Sequence, residues 1–181
     1  MSMSPSLDKP HARAAISDIR ARSRVLRGLF FLSSIALSGV MVGKHIVWPV
    51  VRIVGGARDG ESFDGVRADV AANLIGALPA FLLLIAILMA YRLCERMADG
   101  EIFSRGNAVI FEWIGSCVIA SGTFAALIAP SLINWVKGAP AFDIGFDNWA
   151  LGLVPLGLSL LLVGRVLALA TRIKTESDEI V

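Results

Sequence analysis

The chain has 181 residues, of which 56% are hydrophobic, and a net charge of +2. Its mean hydropathy is +0.72. Soluble domains are typically about 45–50% apolar, and here the excess lies in long blocks, which excludes most soluble-enzyme architectures.

Residues 1–24 are polar and rich in arginine. They are too long for the charged region of a signal peptide, the apolar run after them is too long for its core, and no clear A-x-A-like site follows. They read as a cytoplasmic tail. The stretch AAISDIRARSRVLRGL reads either as an amphipathic helix on anionic lipid or as a disordered topogenic tail.

Four apolar spans follow, over about 25–47, 70–93, 108–133 and 150–173. A helix rises 1.5 Å per residue, so ~20 residues cross ~30 Å of hydrocarbon. Each span must be helical to satisfy its own backbone in lipid. The fold expected is all-α, an integral membrane four-helix bundle over residues 25–181. Trp48, Trp135 and Trp149 fall at one set of span ends, with Tyr91 and Trp113 near the other, as interfacial belts require.

Between the first two spans, residues 44–69 read as a long outer loop. Its IVWPVVRIVGG part either continues the helix or rests in the interface, with a bend at Pro49 and Gly55-Gly56. Asp59, Glu61, Asp64 and Asp69 match no calcium-loop spacing and read as a solvated acidic loop.

Positive charge sets the orientation. Lys9, Arg13, Arg20, Arg22, Arg24, Arg27, Arg92, Arg96, Arg105, Arg165, Arg172 and Lys174 fall on one side, twelve against the five of Lys44, Arg52, Arg58, Arg67 and Lys137. The larger group belongs inside, which places both termini in the cytoplasm.

Small residues recur at helical spacing: Gly39 and Gly43 in the first span, Ala72, Gly76 and Ala80 in the second, Gly115 and Gly122 in the third, and Gly157 and Gly164 in the fourth. Such rows allow close helix packing. Packing within the bundle is the default, and homodimerisation through Gly39 and Gly43 is the sharper alternative. Pro79, Pro130 and Pro155 are expected to kink their helices.

Ionisable groups inside a span are functional candidates. Glu112 and Arg165 lie at matched depth with opposite charge, so they read either as an ion pair between the third and fourth spans or as side chains that reach the headgroups separately. The outer half of the spans reads as offering almost no polar groups. Cys94 and Cys117 have neither metal nor disulfide spacing and read as small apolar residues. His11 and His45 lie on opposite sides of the membrane and cannot act together. No nucleophile elbow, P-loop, zinc-protease or dinucleotide motif is present. No catalytic group, metal site or cofactor is expected, nor direct nucleic-acid binding.

The segment ADGEIFSRGNAVIFEWIG at 98–115 and the closing stretch RVLALATRIKTESDEIV at 165–181, with the four-span layout, resemble the bacterial membrane family named domain of unknown function 2975. The resemblance implies a four-helix protein of the bacterial cytoplasmic (inner) membrane, with a cytoplasmic regulatory protein as partner. The matching Gly100, Phe103, Ser104 and Asn107 then form an interfacial corner: Gly100 ends the second helix, Phe103 anchors in the interface, and Ser104 caps the third helix with Asn107 in its first turn. The expectation is a non-enzymatic protein acting by interaction in the bilayer, with a homo-oligomeric small-solute transporter or channel as the alternative.

Overall fold

A computed structural model describes residues 10–60, 62–99, 104–139 and 148–179, with side chains described over 22–173 of these apart from Asn148 and Trp149. Among them every element is helical. In order they are α1 (Pro10–Val42), a π-helical turn (Gly43–Val47), α2 (Trp48–Asp59), α3 (Phe63–Ala98), α4 (Arg105–Thr123), a second π turn (Phe124–Ile128), α5 (Ala129–Val136) and α6 (Asn148–Glu179). Through the π turns these join into four helices long and apolar enough to cross a membrane: Arg22–Asp59, Phe63–Ala98, Arg105–Val136 and Ala150–Ile173. The chain is a multi-pass membrane protein.

Most of the long loop expected over 44–69 is helix, and its IVWPVVRIVGG part continues the first helix, one of the two readings open for it. α1 runs through the first π turn into α2, and helix resumes at Phe63. Pro49 does not break the path, because it sits in the opening turn of α2, where a missing N–H is tolerated. Gly55 and Gly56 lie inside α2, and the reversal falls instead at Gly60. That residue adopts φ +70° and donates its N–H to the Gly56 carbonyl, a left-handed cap that glycine reaches without a Cβ clash. Ser62 then opens α3 by accepting from the Gly65 N–H at 3.4 Å. The N-terminal segment from Pro10 is likewise one helix with the first span, not a separate element.

The helices touch in chain order. α1 packs on α3, α3 on α4 and α5, and α4 on α6, while among the described residues α6 contacts only α4 and the second π turn. The four helices form an open row, and their outward faces carry large apolar side chains such as Leu32, Val40, Leu162 and Val166. A soluble protein would hide such side chains; lipid solvates them.

The densest seam joins α4 to α6. A Cβ added at Gly115 would lie 2.7 Å from the Gly157 carbonyl oxygen, and one at Gly122 2.7 Å from that of Ala150. Gly164 faces Ala108 and Glu112 at 3.1 Å in the same sense. The three contacts repeat every seven residues on both antiparallel helices, so the small residues expected to pack within the chain form one continuous line. Beside it, Ala86 and Leu93 of α3 meet Ile114, Cys117 and Val118 of α4 in the buried core. Cys117 of this core and Cys94 are both buried free thiols.

Candidate functional site

The strongest concentration of polar contacts lies toward the Gly60 end of α1, α2 and α3, and it starts with a backbone defect. In the first π turn the Trp48 N–H bonds to the Gly43 carbonyl. The next carbonyl, that of Lys44, then needs a donor from residue 48 or 49. Trp48 is already used, and Pro49 has no N–H. Asn73 of α3 fills the gap: its Nδ2 donates to the Lys44 carbonyl at 3.2 Å. That bond orients the amide, so its Oδ1 accepts from His45 Nδ1 at 2.7 Å. Nδ1 also lies 3.1 Å from the Asn73 carbonyl. With oxygens on both contacts, Nδ1 carries the proton.

About one helical turn nearer Gly60, Arg52 Nε and Nη2 both donate to Asp69 Oδ2, at 3.1 and 3.0 Å. Lys137 Nζ, beyond the end of α5, approaches the other oxygen of Asp69 at 3.9 Å. Asp69 therefore ties three segments together at one level. Both bonds converge on one carboxylate oxygen and are charge-assisted, although both partners are about one-third exposed and solvent screens part of the attraction.

The second π turn repeats the device. The Ala129 N–H bonds to the Phe124 carbonyl, and Pro130 follows six residues after Phe124, as Pro49 follows six after Gly43. The Ala125 carbonyl thus loses its regular helical donor. Both π turns border one crevice of about 300 Å³, lined by Leu37, Lys44, His45, Pro79, Ala125 and Ala129 among others. Pro79 lies inside α3, and its carbonyl accepts from the fully buried Ser121 Oγ of α4 at 2.8 Å.

The residues singled out from the sequence are placed as follows. Ser104 caps α4, accepting from the Asn107 N–H at 3.2 Å. Asn107 is fully buried in the first turn of α4. Gly100 and Phe103 lie outside the described residues, and α3 ends at Ala98. Glu112 lies against Gly164, the neighbour of Arg165, but the ion pairs among the described residues do not join Glu112 to Arg165. Arg165 is exposed instead. Gly39 and Gly43 have open space where a Cβ would stand, so no described residue packs closely against that face of either. The described residues contain no group of three or more metal-ligating side chains.

Sequence reading missed Asn73 and Asp69 as partners, and with them the polar half of the site. An asparagine opening an apolar run, opposite a histidine two residues after a glycine and four before a proline, was the available signal.

A family model described as "Protein of unknown function (DUF2975)" matches residues 43–181, starting at the first π turn. No curated protein and no solved structure matches the chain.

Proposed function

The chain belongs to the DUF2975 family, and from that premise we propose that it is a non-enzymatic protein of the bacterial cytoplasmic membrane, with both termini inside, that works by binding another protein. The observation that carries the reading is the open row of helices. Among the described residues α6 contacts only α4 and the second π turn, and Gly39 of α1 and Gly43 of the first π turn are uncovered. Two flanks are thus available for lateral association. Helices in lipid associate through close packing, not through a hydrophobic driving force, and a flank with small residues suits it. Arg22 and Arg24 of α1, with Arg96 just before the 98–107 corner and Arg105 within it, are exposed and supply charge for a cytoplasmic regulator. The side-chain contacts of His45, Asn73, Arg52, Asp69 and Lys137 cluster toward the Gly60 end and, among the described residues, do not continue as a polar path across the bilayer, which weighs against ion conduction.

Crosslinking of the tagged protein in its native membrane, followed by mass spectrometry, tests this. The expected result is a specific partner whose recovery is lost when Arg22, Arg24 and Arg27, or residues of the 98–107 corner, are replaced. Recovery of the chain alone as a defined oligomer, with solute flux in liposomes, would overturn it in favour of a transporter.

A further inference from the structure

The crevice bounded by the two π turns has a polar mouth and an apolar interior. Lys44 and His45 stand at one end, and Leu37, Val40, Met41, Gly76, Pro79, Ala80, Ala125 and Ala129 make the walls. Leu37 and Lys44 are seven residues apart, so the slot runs about 10 Å along the helix, from the polar mouth toward the apolar middle of the span. Its walls on α3 and beyond the second π turn are small residues, which leave room for a flexible chain.

The mouth is cationic. Lys44 gives its carbonyl to Asn73, while its ammonium has no hydrogen-bond or ion-pair partner among the described residues. The next cations along, Arg52 and Lys137, share the one carboxylate of Asp69. The order of chemistry from mouth to interior, cation then apolar slot, is complementary to an anionic amphiphile read from head to tail. An apolar slot of this kind does not hold water well and favours an apolar occupant.

We infer that this crevice seats one acyl chain of an anionic phospholipid, with the lipid phosphate on the Lys44 ammonium. A zwitterionic phospholipid offers the same chain and phosphate, but its own cationic headgroup offsets the attraction to Lys44. One lysine at an anionic headgroup corresponds to roughly a fivefold preference. The site is independent of any protein partner, so it stands or falls separately from the interaction reading.

The test uses the full chain, purified in detergent, stripped of lipid and titrated with phosphatidylglycerol or phosphatidylcholine of equal chain length, with bound lipids counted by native mass spectrometry. The expected result is one tightly retained phosphatidylglycerol, preferred roughly fivefold over phosphatidylcholine. Lys44→Gln removes the preference and leaves phosphatidylcholine binding unchanged. Ala125→Leu fills the slot and weakens both lipids, while Gly39→Leu, outside the crevice, changes neither. Equal retention of the two lipids by the unaltered chain, or a preference that survives Lys44→Gln, would overturn the assignment. Lys44 is exposed, so that variant folds and decides the question even where Ala125→Leu does not.

Discussion

Gly115 and Gly157 meet backbone to backbone: a Cβ built on either would lie 2.7 Å from the other's carbonyl oxygen. No side chain can move aside to relieve that contact, because the obstacle is main chain. Gly115→Leu or Gly157→Leu must therefore push α4 and α6 apart, at a cost of about 1–3 kcal/mol or more. Gly39→Leu, with open space around its Cβ position, should be close to neutral. Unfolding in mixed detergent micelles would rank the three. Equal effects at Gly39 and Gly157 would mean that the seam is not where the helices hold together.

Pro49 and Asn73 form a second relationship that a mutant cycle can read. Asn73 answers a carbonyl that Pro49 leaves without a donor. Asn73→Ala should cost about 1–3 kcal/mol, the penalty for an unmet polar group away from water. Pro49→Ala restores an N–H, so in that background the same change should cost measurably less. Additive effects would show that the π turn and the amide are not coupled.

The helices and the residues that pack them were legible because both leave periodic marks: four apolar runs of spanning length, and Gly115, Gly122, Gly157 and Gly164 in sevens. The path between the first two spans was not. Pro49 and Gly55-Gly56 look like breakers, yet a proline in the first turn of a helix segment costs little, and the preceding π turn absorbs its misfit. The polar site hid for a related reason. The acceptor Asn73 binds is a main-chain carbonyl freed by a register defect, and no side-chain motif records that. The Glu112–Arg165 expectation rested on depth alone. Depth does not fix which way a helix faces, and the close approach at Gly164 brings Glu112 to the backbone beside Arg165 while Arg165 itself is exposed.

Asp69 gathers Arg52 and Lys137, so Asp69→Asn should loosen the contact between α2, α3 and the end of α5. With the pair about one-third exposed, the loss should be modest, about 0.2–1 kcal/mol. Asp69→Arg should cost more than Asp69→Asn, since it places three cations together. Adding Arg52→Asp should recover part of the loss. Protease sensitivity near Gly60 reports the local opening directly. No recovery in the double variant would mean that the Arg52–Asp69 pair contributes nothing to holding these helices.

The cap of α4 gives a further expectation. Ser104 accepts from the Asn107 N–H, just ahead of the fully buried Asn107. Ser104→Ala should destabilise by about 1 kcal/mol and Ser104→Asp should be tolerated, because aspartate caps as well as serine. A thermal shift series in detergent distinguishes them. Equal loss from both would point to a packing role for the serine instead of a capping one.

Glu112 and Arg165 offer the last test. Glu112 lies against Gly164, the neighbour of Arg165, yet the two charges are unpaired with each other among the described residues, and an arginine near a span end can carry its charge to the headgroups by itself. Glu112→Gln and Arg165→Gln should then act independently, and their effects on stability in membranes should add to within about 0.5 kcal/mol in the double variant. A larger coupling, or rescue of each single charge reversal by the other, would mean that the two side chains meet across α4 and α6 in the bilayer.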